Sequence, residues 1–162
     1  MALDLGSLGE AKTQTKAVFA HALGQNIIDE GKAGPLDLNN IAWSSLFTGK
    51  VEPSDIEYGL KAAQLSNNNP SWLHTLGCVY AEVGKTKEAR EVLVQAMDLS
   101  NLDDPDIDYW YAFGRIAEQY GERDTAFANY ARVTKPEKAI ELPTSSYYLA
   151  QVRLEAMRSE KQ

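Results

Sequence analysis

The sequence predicts an all-α fold of stacked helical hairpins, and regularly spaced prolines and glycines carry that prediction. Proline suits the first turn of a helix, where its missing backbone N–H breaks no hydrogen bond. Three prolines recur at intervals of 35 residues: Pro35, Pro70 and Pro105. Glycine suits the residue that ends a helix, and three glycines follow at similar intervals: Gly49, Gly84 and Gly121. A period of about 35 residues with a turn inside it is typical of a two-helix repeat.

Each repeat also has a small residue in its first helix. This residue stands seven positions before the turn glycine in every copy: Ala42, Gly77 and Gly114. Because a small side chain lets two helices approach closely, we expect each one to face the second helix of its hairpin. The second helices carry matching residues: Ala89, Leu93 and Ala96, then Ala126, Tyr130 and Val133. In the first copy, the corresponding residues are Ile56, Leu60 and Ala63 if the turn contains a two-residue insertion.

These residues resemble the tetratricopeptide repeat (TPR) family, whose repeat has residues of characteristic size at seven positions. One copy matches all of them: Leu73, Leu76, Gly77, Tyr80, Ala89, Leu93 and Ala96. The next copy departs at Ala117, which is smaller than the residue usual there, and at Val133, which replaces a small residue. The resemblance covers residues 35–133, as repeats 35–66, 70–99 and 105–133. It implies a right-handed superhelix, that is, a TPR-like α-solenoid.

A further helix is predicted on each side of the repeats, within one domain that covers residues 1–162. The N-terminal helix, 8–30, has an apolar side and Gly31 as its stop; that side consists of Val18, Phe19, Ala22, Leu23, Ile27 and Ile28. The C-terminal helix, 143–158, has its own apolar stripe: Tyr148, Leu149, Val152, Ala156 and Met157. Since a solenoid needs a capping element, we expect this last helix to cover the final repeat.

Composition and charge disfavour several classes of function. The chain has 16 basic and 23 acidic residues, a net charge of −7, which repels the phosphate backbone of a nucleic acid. The uncharged stretch 17–28 is too short to span a bilayer, and no secretory leader is visible. We therefore expect a cytoplasmic protein that binds neither nucleic acid nor membrane.

No set of residues predicts a metal, a cofactor or catalysis. One cysteine and two histidines cannot form a zinc site of the usual kind. The acidic run 103–108 fails the calcium-loop template, because Tyr109 falls where the turn needs glycine. His74 and Cys78 stand four apart on one helix, but nothing predicts an orienting group or oxyanion donors beside them. We expect no enzyme activity.

The resemblance implies that the first helices line a concave groove, which binds an extended peptide or a partner's helix. Carried over by repeat position, the groove residues are Asn39, Trp43, Phe47, His74, Cys78, Glu82, Tyr111, Arg115, Glu118, Gln119, Tyr147 and Gln151. Aromatic side chains among polar ones suit a recognition surface. We expect Tyr111 and Arg115 to be exposed there, so that replacing both weakens binding with little effect on stability.

Two functions remain open at this level. The first is a noncatalytic module that binds another protein or peptide in the groove. The second is a structural or oligomerising accessory region of a larger, bacterial-type multi-domain protein, with the groove occupied by its own N-terminal helix and self-association as its role.

Overall fold

The computed structural model of the chain describes residues 5–138 and 144–159, with side chains from Lys12 onward. All regular structure in these ranges is α-helical, as predicted. The eight helices described are α1 (Leu5–Asp29), α2 (Pro35–Ser45), α3 (Pro53–Leu65), α4 (Pro70–Glu82), α5 (Thr86–Leu99), α6 (Tyr109–Gln119), α7 (Arg123–Ala131) and α8 (Ser146–Ser159). None of them is long and apolar enough to cross a membrane.

Each helix packs against the next one along the chain. Contacts also join α2 to α4, α4 to α6 and α6 to α8. The core runs through these contacts and consists mainly of small and aliphatic side chains with three buried tyrosines in α6 and α7, namely Tyr109, Tyr111 and Tyr130.

The turn glycines have the backbone conformation that the sequence predicts. Four of them have positive φ in the turn that follows a helix: Gly31, Gly49, Gly84 and Gly121. After α4, the N–H of Lys85 donates to the carbonyl of Tyr80 at 2.9 Å, the bond that closes a Schellman turn. Helices α3 and α5 end on asparagines with positive φ instead, at Asn67 and Asn101. Asparagine is one of the few other residues that tolerate this conformation.

The predicted close contacts at Gly77 and Gly114 are confirmed. A Cβ atom at Gly77 would lie 2.6 Å from Cγ of Leu93, and one at Gly114 would lie 2.4 Å from the ring of Tyr130. In both hairpins, the large residue of the second helix therefore occupies the space that a side chain would need. A third close approach is at Gly24 of α1, where a Cβ atom would lie 2.3 Å from Cγ1 of Ile41 in α2.

The predicted spacing of α3 is wrong by one residue. The residues of α3 in the matching places are Asp55, Gly59 and Ala62: all three are buried, and a Cβ at Gly59 would lie 3.5 Å from Cβ of Ala42. Leu60 is exposed instead. The turn holds one extra residue rather than two, and Asp55 Oδ2 accepts a hydrogen bond from the N–H of Glu52 at 2.8 Å at the start of the helix.

The predicted packing side of α1 is also wrong. Of the predicted apolar side, Val18, Phe19, Ala22 and Leu23 are exposed and only Ile27 and Ile28 are half-buried, whereas the buried residues of α1 include Thr13 and Ala17. Small residues let α1 approach α2 closely, and polar groups fix it to α3, so the helix packs on the side that lacks its largest apolar residues. Two hydrogen bonds to α3 complete this contact: His21 Nε2 to Asp55 Oδ1 at 2.6 Å, and Tyr58 Oη to Gln25 Oε1 at 2.9 Å.

Two predicted helix starts differ from the structure. Pro35 and Pro70 are each the first residue of a helix, but α6 begins at Tyr109, four residues after Pro105. The intervening acidic residues form turns, in which Asp106 Oδ1 accepts from the N–H of Ile107. Helix α8 begins at Ser146; the predicted start at Pro143 lies outside the described residues.

Candidate functional site

A pocket of about 440 Å³ opens between the first halves of α2 and α4 and the segments that precede α6 and α8. We call it the central pocket and define it by Asn39, Trp43, Ser71, His74 and Asp108. The rings of Trp43 and His74 lie 6.1 Å apart between their centroids. His74 Nε2 is 3.2 Å from the backbone carbonyl oxygen of Asp108, which joins α4 to the start of α6.

The polar groups of the central pocket are not all satisfied. Asn39 Oδ1 is buried and has no hydrogen-bond donor among the described residues. A buried acceptor without a donor costs free energy, and a ligand that supplies a donor would recover it once the Asn39 amide turns towards the pocket. Trp43 donates from Nε1 to the carbonyl of Thr144 at 3.0 Å, so the segment before α8 forms one side of the pocket.

The His74–Cys78 pair lies next to the central pocket, with Nε2 and Sγ 3.5 Å apart. Burial raises the pKa of the Cys78 thiol well above its ordinary value, and the charges of Asp108 and Glu82 raise it further. Burial also lowers the pKa of His74, against the opposing effect of Asp108. Near neutral pH this pair is a thiol beside a neutral imidazole, which does not suit a nucleophile.

Four further predicted groove residues, Glu82, Tyr111, Arg115 and Glu118, form a hydrogen-bonded charged network together with Arg153. Arg115 donates from Nε to Glu82 Oε2 at 2.8 Å and from Nη1 to Glu118 Oε2 at 2.8 Å. The hydroxyl of Tyr111 donates to Glu82 Oε2 at 2.8 Å. Burial raises the pKa of Tyr111 well above its ordinary value, with the charge of Glu82 adding to the effect. These groups satisfy one another across α4 and α6.

Glu118 connects this charged network to α7 and α8. Its Oε2 accepts from Tyr130 Oη at 2.6 Å and from Arg153 Nε at 3.1 Å, and Arg153 Nη2 contacts the other oxygen. Burial alone would raise the pKa of Glu118. The hydrogen bonds from Arg153 and Tyr130, with the charge of Arg115, outweigh burial and lower its pKa to about 2. The carboxylate is therefore ionised at every ordinary pH.

The structure brings together most, but not all, of the predicted groove residues. Asn39, Trp43 and His74 line the central pocket, and four others form the charged network. Phe47 and Cys78 are buried. Three predicted groove residues do not line the central pocket and form none of the hydrogen bonds described for the charged network: Gln119, Tyr147 and Gln151.

The expected exposure of Tyr111 and Arg115 is wrong. Their exposed fractions are only 2% and 7%, because Glu82 and Glu118 pair with them and α8 packs against α6. They act as core residues, and replacing them tests the fold rather than the binding surface.

Three residues of the site were missed by the sequence analysis. Asp108, which repeat position also assigns to the groove, does line the central pocket; the residues that were missed are Thr144 at that pocket, Arg153 in the charged network, and Tyr148, whose ring lies 6.2 Å from that of Phe47. The C-terminal segment thus contacts several of the predicted groove residues. An arginine within the apolar pattern of the last helix is the signal that could have indicated this contact, since such a residue needs an acid to pair with.

Within the described residues, no three His, Cys, Asp or Glu side chains lie close enough to hold a metal ion. Comparison of the chain with protein-family models, with curated proteins and with solved structures finds no match.

Proposed function

We propose that the helices form a TPR-like right-handed superhelix in which α2, α4, α6 and α8 line the concave side. The succession of contacts α2–α4, α4–α6 and α6–α8 supports this arrangement, since first helices of stacked repeats touch their neighbours. The recurring contact between a glycine of one helix and a large residue of the next, at Gly77 with Leu93 and Gly114 with Tyr130, supports it further.

We further propose that the protein is a noncatalytic, cytoplasmic module that binds a peptide segment of another protein in the central pocket. The observation that carries this proposal is the pocket itself. It joins residues of two successive first helices, Asn39 and Trp43 with Ser71 and His74, next to Asp108, which precedes a third. Aromatic rings beside hydrogen-bonding groups provide both contact area and direction, as in protein recognition sites.

The partner's contacts follow from which groups are still available. Arg115, Glu82 and Glu118 are used within the protein, so they offer little to a ligand. Trp43 and His74 offer aromatic surface, while Asn39 Oδ1 lacks a donor. We therefore expect an extended peptide that donates hydrogen bonds from its backbone or side chains and places an apolar side chain against Trp43. For so few contacts, an affinity of about micromolar Kd is expected.

Selection of displayed random peptides on the immobilised protein tests this function. Selected peptides should shift the NMR resonances of the Trp43 indole and of the His74 backbone more than those of Trp110, which lies outside the central pocket. Failure to select any peptide, or shifts confined to other surfaces, would overturn the proposal.

A second candidate function, self-association within a larger assembly, is supported by a different observation. Helix α1 exposes Val18, Phe19 and Leu23, although it packs on its other side against α2. Exposed apolar groups that cluster on one helix are typical of an interface. Sedimentation of the purified protein over a range of concentrations tests this candidate directly.

A further inference from the structure

An apolar groove of about 930 Å³ lies between α5, α6 and α7, away from the central pocket. We call it the α5–α6–α7 groove. Its floor consists of Trp110, Phe113 and Ala117 of α6 and of Tyr120, which directly follows that helix, and Val94 of α5 forms one wall. Tyr120 is 65% exposed and Val94 is 43% exposed, so the groove presents apolar surface to solvent.

A small residue forms part of the floor of this groove. Ala117 stands four residues before the turn glycine Gly121, as Tyr80 stands four residues before Gly84. Both side chains are buried in the core, Tyr80 at 8% and Ala117 at 6% exposure, and Ala117 also lines the groove. On the last repeat this part of the groove floor is therefore a methyl group, where the repeat before it has an aromatic ring.

The chain also carries a complementary projecting surface, at its other end. Phe19 of α1 is 71% exposed, and Leu23 and Val18 beside it are about half exposed. We call these three residues the α1 stripe. Phe19 and Leu23 are four apart, so their side chains lie next to each other along the helix.

We propose that the α1 stripe of one copy docks in the α5–α6–α7 groove of a second copy, with Phe19 next to Ala117. This proposal rests on the second candidate function and is independent of peptide binding at the central pocket. Because the two surfaces differ, the contact is heterologous and runs head to tail.

The charges around both surfaces permit this contact despite the net charge of −7. Lys12 and Lys16 stand seven and three residues before Phe19, on the same side of α1. The rim of the α5–α6–α7 groove includes the acidic residues Glu91 and Glu122. The basic half of the projecting helix can therefore lie beside acidic side chains of the second copy. Lys87 and Arg90 on the same rim restrict the orientations that satisfy this pairing.

The exposed apolar area of the α1 stripe determines the affinity that we expect for this contact. The α1 stripe offers roughly 300 Å² of exposed apolar surface, against about 800 Å² per partner in a standard stable interface. We therefore expect weak, reversible association with a Kd of tens to hundreds of micromolar.

Analytical ultracentrifugation of the full chain, from about 1 to about 300 µM, tests the proposal in that range of affinity. The natural protein should gain mass with concentration. Phe19→Asp and Ala117→Tyr should each raise the dissociation constant at least about tenfold. Leu65→Asp, which changes an equally exposed residue outside both surfaces, should not. Val94→Asp provides a second groove variant should Ala117→Tyr fail to fold.

Mixing the variants gives the decisive result. Phe19→Asp keeps an intact groove and the groove variant keeps an intact α1 stripe, so an equimolar mixture should form a one-to-one dimer although neither associates alone. A mixture that stays monomeric overturns the proposal, as does association that only Phe19→Asp weakens. Natural protein that stays monomeric throughout overturns both this interface and the second candidate function, while peptide binding at the central pocket is measured separately.

Discussion

Arg115 and Glu82 are joined by two hydrogen bonds, from Nε to Oε2 at 2.8 Å and from Nη2 to Oε1 at 3.2 Å, across the contact between α6 and α4. Both residues occupy positions from which the sequence predicts contact with a partner. Because they satisfy each other, they hold the first helices together instead. The charged network thus joins α4, α6, α7 and α8, whereas the residues of the central pocket take no part in it.

Replacing Arg115 with alanine should destabilise the protein by about 2–3 kcal/mol, because it leaves Glu82 and Glu118 without their shared cation in a partly buried place. Arg90→Ala removes the same side chain from an exposed position of α5, and it should change the free energy of unfolding by less than about 0.5 kcal/mol. Urea denaturation monitored by circular dichroism measures both. Equal losses in the two variants would show that the charged network adds nothing to stability.

Gly77→Ala should cost about 1–3 kcal/mol, because its new Cβ would lie 2.6 Å from two carbons of Leu93 and force the hairpin apart. Gly59→Ala is the matched control, since it is also a buried helical glycine. There the nearest atom, Cδ1 of Leu76, is 3.3 Å away, and the better helix propensity of alanine offsets a small shift by up to about 1 kcal/mol. Thermal denaturation should therefore give Gly77→Ala a clearly lower melting temperature than Gly59→Ala. The reverse order would contradict the close contact at Gly77.

The lowered pKa of Glu118 predicts a pH dependence with a definite sign. A carboxyl whose pKa falls from 4.5 to about 2 on folding adds stability above pH 4.5, and that contribution disappears as the pH falls towards 2. Glu118→Gln cannot titrate. The difference in melting temperature between the natural protein and this variant should therefore be largest above about pH 5 and shrink steadily below it. A difference that stays constant down to pH 2.5 would refute the charge pairing at Glu118.

Asp55 should anchor α1 as well as cap α3, because one oxygen accepts from the N–H of Glu52 and the other contacts His21. Asp55→Ala should cost about 1–2 kcal/mol and speed amide hydrogen exchange in α1. Asp37→Ala removes a similar cap, the bond from the N–H of Gly34, without a contact to α1. It should leave exchange in α1 unchanged. Similar amide exchange in α1 of both variants would show that the contact between Asp55 and His21 does not anchor this helix.

The spacing of small residues and turn glycines predicted the hairpins well, because both features follow from local geometry. Gly77 and Gly114 need a close approach, and Gly84 and Gly121 need positive φ, whatever the rest of the chain does. The turn before α3 was harder, because two extra residues bring Ile56, Leu60 and Ala63 to the matching positions, a more apolar set than the Asp55, Gly59 and Ala62 that the structure has there. Only the contact of Gly59 with Ala42 distinguishes them.

The site was predicted less completely, for a different reason. Repeat position indicates which side chains share a surface, and it correctly brought Trp43 and His74 together. It carries no information on whether a distant part of the chain covers that surface. Arg153 and Thr144 reach these residues over long sequence separations, and contacts of that kind leave little trace in local patterns. The prediction of the packing side of α1 failed for a similar reason, because polar groups and a glycine, rather than Phe19, determine which side of the helix packs.

The central claim, that the central pocket binds a peptide, is tested most directly by blocking the pocket without disturbing the core. Ser71 is exposed and lines the pocket, so Ser71→Tyr fills it, while Gln64→Tyr places the same ring on an exposed position of α3. Calorimetric titration with one display-selected peptide should give a Kd of about 1–100 µM for the natural protein and for Gln64→Tyr. For Ser71→Tyr we predict at least a tenfold weaker Kd at an unchanged melting temperature. Equal affinity in all three proteins would contradict the claim.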